Sequence, residues 1–185
     1  MLLDQILFWG FYNGLPHLPV FNVFFTAISS SAYPSLIWLT LVIGFLLYHH
    51  RKRGWILLEA VFAMGIGVVF SEFILKEIFA RPRPFEVFSN LSSMDPTATG
   101  FSFPSSHAVA ALSLATVIAL STKNIKIQAL MTSYAILVCY SRIYLGVHFP
   151  LDVVAGALLG VLLGWLSSQF LPHFYKSLFR KAGYF

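Results

Sequence analysis

Two histidines, a carboxylate and three permanent cations are spaced along this chain in a way that suits chemistry on a phosphoryl group. His148 and Asp152 lie four residues apart across Pro150, a residue that favours helix initiation. At that spacing a carboxylate one turn on can hold one imidazole N–H. This fixes the tautomer and leaves the other ring nitrogen free to attack phosphorus. Phosphoryl transfer needs in-line positioning and stabilisation of charge on the equatorial oxygens more than it needs difficult covalent chemistry. Lys76, Arg83 and Arg142 supply that charge, the arginines as bidentate forks and the lysine as a compact point charge. Pro104-Ser105-Ser106 leads into His107 at the start of an apolar run. It therefore offers a hydroxyl and free backbone N–H groups at a helix N-terminus, a ready anion site.

The elements that must position these residues are read from the apolar runs. The chain has 185 residues, of which 58% are hydrophobic and 10% charged, with a net charge of +5. That is too apolar for a soluble globular domain and indicates a membrane protein. A bilayer core of about 30 Å takes roughly 20 apolar residues per helix, and five runs qualify: Val20 to Tyr48, Trp55 to Phe79, Ser105 to Thr122, Asn124 to Ser141 and Leu151 to Leu171. Met1 to Asn13 is apolar but too short to cross, and is expected to lie in the interface. The first dozen residues carry Asp4 and no Lys or Arg, with no small-residue cleavage site after them, so no cleavable targeting signal is expected. The expected fold is an all-α, five-span bundle with an N-terminal interfacial helix, a single domain over residues 1–185.

Charge orients this bundle. Arg51, Lys52, Arg53, Lys123, Lys126, Lys176, Arg180 and Lys181 share one face, eight of the twelve bases. By the positive-inside bias that face is cytoplasmic, which places the N-terminus and the Ala80 to Pro104 loop outside. The positive charge is thus mainly a topology signal, and nucleic acid is not an expected partner. The other four bases, Lys76, Arg81, Arg83 and Arg142, share the outer face with His107, His148 and Asp152. A single interfacial base is ordinarily a snorkelling anchor and a single buried histidine a hydrogen-bonded core residue. Neither account explains why they gather on one face.

Three blocks stand at the outer helix ends. Lys76 is followed by six residues and Arg83-Pro84; Pro104-Ser105-Ser106-His107 forms the second; Ser141-Arg142 is followed by five residues and His148, with Asp152 beyond. Together they resemble the three-part signature of the type 2 phosphatidic acid phosphatase superfamily, which includes the vanadium haloperoxidases and bacterial phosphatidylglycerophosphate, undecaprenyl diphosphate and lipid A phosphatases. The resemblance covers Trp55 to Leu171, the expected catalytic core. It departs at Ser106, where the family has glycine; the glycine contributes its backbone N–H, and Ser106 can do the same if its φ is negative. The resemblance implies His148 as the nucleophile forming a phosphohistidine, Asp152 as its orienting partner and His107 as general acid on the leaving oxygen. Water then hydrolyses the intermediate with His107 as base. No metal and no cofactor is required.

The expectation is a lipid phosphatase in a bacterial-type cytoplasmic (inner) membrane, its site open to the extracytoplasmic surface. The bilayer itself and a phosphorylated lipid are the expected partners: undecaprenyl diphosphate, lipid A 1-phosphate or phosphatidylglycerophosphate. Vanadate-dependent halide oxidation could use the same constellation, but five apolar spans fit a lipid substrate better. A transporter would place its charges near the midplane and show a repeat, and no repeat is visible. Glu72, four before Lys76, reads as a tuning or structural partner, and Arg81 and Glu86 as solvated loop charges or head-group contacts. His17, His49, His50 and His173 have no partner pattern. Cys139 is the sole cysteine, so no intramolecular disulfide forms. Gly156, Gly160 and Gly164 form a small-residue ridge suited to close packing within the bundle, with dimerisation as the rival use.

Overall fold

The computed structural model describes residues 2–29 and 54–181. Its elements are helices α1 (Leu2–Tyr12), α2 (Pro19–Ser29), α3 (Gly54–Phe70), α4 (Lys76–Phe79), α5 (Pro84–Val87), α6 (Ser106–Ser121), α7 (Ile125–Tyr144) and α8 (Pro150–Lys181). There is no strand among the described residues. Most of the expected first span, residues 30–48, and the basic cluster Arg51-Lys52-Arg53 lie outside the described residues.

The apolar runs become helices near their expected bounds, and the differences are informative. One wide π-turn, Ser71–Leu75, joins α3 to α4, so the second apolar run is helical throughout. It ends at Ala80, whose φ of +43° is left-handed and turns the chain out of the helix. α7 continues past Ser141 to Tyr144, carrying Arg142 inside the fold rather than at a solvated end. α8 runs ten residues past Leu171, with Pro172 inside it. Within the described chain, Ile56–Val87 and Pro150–Pro172 contain stretches long and apolar enough to cross a membrane; Pro19–Ser29 and Ser106–Ser121 are shorter apolar helices.

α6 is the central helix. Ala108, Val109, Ala111, Leu114, Val117 and Ile118 are all buried, so nearly its whole circumference is covered. α3, α7 and α8 pack around it, and their outward faces carry exposed Val61, Phe62, Ile66, Leu130, Ile136, Leu158, Leu162 and Trp165. An apolar exterior around a filled core is what a lipid environment requires. The glycine ridge of α8 lies directly on α6. A Cβ at Gly156 would stand 2.4 Å from the Ser105 carbonyl oxygen, one at Gly160 2.4 Å from that of Val109, and one at Gly164 2.7 Å from that of Ser113. The ridge is therefore occupied inside the bundle by α6.

α1 docks through Phe8, which is wholly buried and makes ring contacts with Trp9, Tyr12, Phe88 and Phe149. Its other face exposes Leu2, Leu3, Ile6 and Phe11. This is the pattern of a helix lying in an interface.

Candidate active site

The site is assembled at one end of the bundle from four separate pieces of chain. The π-turn and α4 bring Lys76, which is buried, with its Nζ donating to Glu72 Oε1 at 2.7 Å. A π-turn shifts the helical register by one residue and often marks a functional position; here it places Ser71, Glu72 and Lys76 beside the start of α6. Ser106 sits in the first turn of α6 with helical, negative φ, so its backbone N–H remains at the helix N-terminus as a glycine's would. Its hydroxyl turns away to donate to Glu72 Oε1 and to meet Ser71 Oγ at 3.0 Å. The substitution of serine for glycine is thus absorbed by a carboxylate one helix away.

Ser105 caps α6 with extended backbone, φ −76° and ψ 109°, and its own N–H donates to the Asp152 carbonyl at 3.0 Å. Ser105 Oγ is fully buried and has no hydrogen-bond partner among the described residues. A buried hydroxyl in that condition is costly unless a ligand satisfies it. It lies at the N-terminus of a sixteen-residue helix, where an anion is favoured.

Arg83 is held by the loop it belongs to. Its Nε donates to the Gly100 carbonyl at 2.8 Å, Nη2 to Thr99 at 2.8 Å and Nη1 to Val147 at 3.0 Å, and Nη1 lies 3.5 Å from His148 Nε2. A guanidinium has five N–H donors, so three bonds leave two for a ligand. Burial pulls Arg83 below its usual value, opposed by Glu72, Glu86, Asp152 and Asp95. Glu86 is exposed, and its carboxylate also accepts the Arg83 backbone N–H at 2.7 Å and closes the first turn of α5.

Arg142 is 1% exposed, and its Nη1 donates to the Ser29 carbonyl at 2.6 Å and its Nη2 to Asp95 Oδ2 at 2.9 Å, while Nε is unpartnered among the described residues. Asp95 is the residue that sequence reasoning missed. It is fully buried, and Thr97 supplies a hydroxyl at 2.6 Å and a backbone N–H at 3.1 Å to its Oδ1. Burial works to raise its carboxyl, but the Thr97 bonds and Arg142 outweigh it and hold the group below its usual value. The sequence signal was the turn-forming Asp95-Pro96-Thr97.

His148 lies just before α8 and is 2% exposed. Burial, then Arg83, Arg142 and Lys76, depress its imidazole well below the usual value, so the ring is neutral at pH 7. Asp152 Oδ2 stands 3.6 Å from His148 Nδ1, just beyond hydrogen-bond distance, and accepts the Phe149 N–H at 2.8 Å. His107, in the first turn of α6, lies in the field of Arg142, His148, Lys76 and Arg83. The structure therefore brings all eight sequence-selected residues, Lys76, Arg83, Ser105, Ser106, His107, Arg142, His148 and Asp152, to the same end of the bundle. Arg81 is not a solvated loop charge: it donates to both Asp4 and Asp152. Among the described residues no group of three or more His, Cys, Asp or Glu is placed to hold a metal.

A helical bundle with this cluster of cations and histidines at one end defines a class, and comparison with known proteins gives it its family. The chain belongs to the PAP2 superfamily, whose family model matches residues 55–176. It is 34% identical over 134 residues to an undecaprenyl-diphosphatase of Sulfolobus acidocaldarius, the match covering 72% of this chain and 63% of that protein. Among solved structures, LpxE of Aquifex aeolicus superposes with a TM-score of 0.72 at 32% identity, covering 91% of this chain and 96% of that one. A transmembrane PAP2-type phosphatidylglycerolphosphate phosphatase from Bacillus subtilis superposes with a TM-score of 0.71 at 27% identity, covering 92% and 85%.

Proposed function

We propose that this protein is a membrane lipid phosphatase that transfers a phosphoryl group from a lipid phosphomonoester or diphosphate to His148 and then to water. The observation that carries the reading is the neutral, buried imidazole of His148 with Nε2 beside Arg83. Nε2 attacks phosphorus, the bond from phosphorus to the leaving oxygen breaks, and His107 delivers a proton to that oxygen. Water, deprotonated by His107, then cleaves the phosphohistidine and releases inorganic phosphate. Lys76, the remaining donors of Arg83 and Arg142, Ser105 Oγ and the N–H of Ser106 hold the phosphoryl oxygens. Asp152 orients His148. The scheme uses no metal.

The chain acts as one five-span domain, with residues 55–171 as its catalytic core, in the cytoplasmic membrane of a bacterium. The N-terminus and the site face outward, and the C-terminus faces the cytoplasm. The substrates are undecaprenyl diphosphate, lipid A 1-phosphate or phosphatidylglycerophosphate. Support comes from the names of the relatives and from the short loop over the site, which leaves room for a phosphate anchored at head-group depth. The test is phosphate release by purified protein from each of the three lipids in mixed micelles, with His148→Ala alongside. Turnover by the wild type of at least one lipid, abolished in His148→Ala and unaffected by EDTA, is the expected result. Retained turnover in His148→Ala would remove the nucleophile, and strong inhibition by EDTA would point to a metal phosphatase.

A further inference from the structure

Two charged residues that the scheme above leaves unused, Asp4 and Arg81, form a continuous ionic chain into it. Asp4 is the sole acid of α1 and is 1% exposed. A buried carboxylate is costly unless both oxygens are satisfied, and both are. Oδ2 accepts from Arg81 Nη2, and Oδ1 accepts the Leu151 N–H at 3.0 Å, in the first turn of α8. The other arm of the same guanidinium, Nη1, donates to Asp152 Oδ1 at 2.6 Å. The guanidinium plane is further confined by the Phe149 ring, whose centroid lies 4.3 Å from Cζ.

The consequence for Asp152 is geometric. With Oδ1 held by Arg81 and Oδ2 accepting from Phe149, the carboxylate cannot rotate about its Cβ–Cγ bond. Oδ2 is thereby kept on the Nδ1 side of His148, the contact that selects which nitrogen is free to react. Asp4 acts on this twice, by aiming Arg81 and by fixing the first turn of α8 on which Asp152 stands.

We propose that Asp4 and Arg81 are positioning residues: Asp4 on α1 orients Arg81, which fixes the carboxylate of Asp152 and through it the imidazole of His148. The inference rests on the reading of His148 as nucleophile. It makes the docking of the N-terminal helix a condition of catalytic geometry, although that helix contributes nothing that touches phosphate.

The test compares wild type, Asp4→Asn, Arg81→Gln, the double variant and His148→Ala, per mole of folded protein, on the most active of the three lipids. Positioning predicts that Asp4→Asn and Arg81→Gln each lower kcat by about tenfold with KM within about twofold, since the losses fall on geometry rather than on substrate contact. Because Asp4 acts through Arg81, the double variant should lose less than the product of the two single losses. Should Asp4→Asn fail to fold, Arg81→Lys makes the same test. It keeps the charge but cannot bridge two carboxylates with fixed geometry, and should also lower kcat. Unchanged kcat in the folded variants, or fully multiplicative losses, would overturn the positioning role. An inactive wild type, or an active His148→Ala, would instead overturn the catalytic reading beneath it.

Discussion

Replacing Asp95 by alanine is the sharpest probe of how the loop between α4 and α6 holds the site. The substitution removes the anion paired with Arg142 at 2.9 Å, while leaving that guanidinium buried and still bonded to the Ser29 carbonyl. Breaking a buried ion pair by deleting one partner costs about 3–5 kcal/mol. The surviving Ser29 bond argues for the lower figure. In a chain of this size each kcal/mol shifts Tm by roughly 2–4 °C, so Asp95→Ala should melt about 6–12 °C below wild type. Asp95→Asn keeps the shape and an acceptor oxygen, and should lose roughly half as much. The pH dependence has a definite sign. The folded carboxyl sits below its usual value of 3.8, so its stabilisation is complete above that value and is lost as pH falls through the lower, folded one. The gap in Tm between wild type and Asp95→Asn should therefore be constant from pH 8 to 5 and close only below about pH 4. Scanning fluorimetry in detergent measures both quantities. A gap under 2 °C, or one that closes between pH 7 and 5, would refute the assignment of Asp95 as the anchor of Arg142.

Three further outcomes are expected. With His148 held well below the usual histidine value, the nucleophile proposed for it stays neutral as pH falls through 6.5, so the acid limb of kcat/KM for this group should lie below that pH; an acid limb at or above 6.5 in stopped assays would contradict it. Gly156→Ala forces a methyl toward the Ser105 carbonyl, and such overpacking should cost about 1–3 kcal/mol and lower kcat as the N-terminus of α6 shifts; a variant with wild-type Tm and rate would show that the contact relaxes freely. In a Cys139→Ala background, Asn90→Cys should react with a membrane-impermeant maleimide on intact cells and Lys52→Cys only after lysis; the reverse pattern would place the site in the cytoplasm.

The sequence made some of this legible and left other parts dark, for physical reasons. The helical runs could be read because a membrane span must be continuously apolar, and the candidate site residues stood out because charge at a span's end is scarce. α7 outran its expected end at Ser141 because Arg142 looked like a membrane exit, whereas Asp95 neutralises it inside the fold. α8 passed the end of its apolar run at Leu171 and continues through Pro172 to Lys181. The π-turn has no sequence mark, since it is set by where Ser71 meets Ser106. The pairings of Asp4, Arg81 and Asp95 were not foreseen because their partners lie 77, 71 and 47 residues away. Pairings of that span depend on tertiary packing, and no local pattern announces them.

The glycines of α8 have one more implication. His107 opens α6 and His148 directly precedes α8, and the separation of those two helices is set where the glycines of α8 leave no room for a Cβ beside the carbonyls of Ser105, Val109 and Ser113. A hydrogen bond stretches by a few tenths of an ångström at little cost, but atoms already in contact do not compress. The two helices are thus spaced by a mechanical stop, while the loop above them adds its own hold on His148 through Arg83. Such a scaffold can vary the loop residues that hold neither Arg83 nor Arg142 while the spacing of α6 and α8 stays as it was.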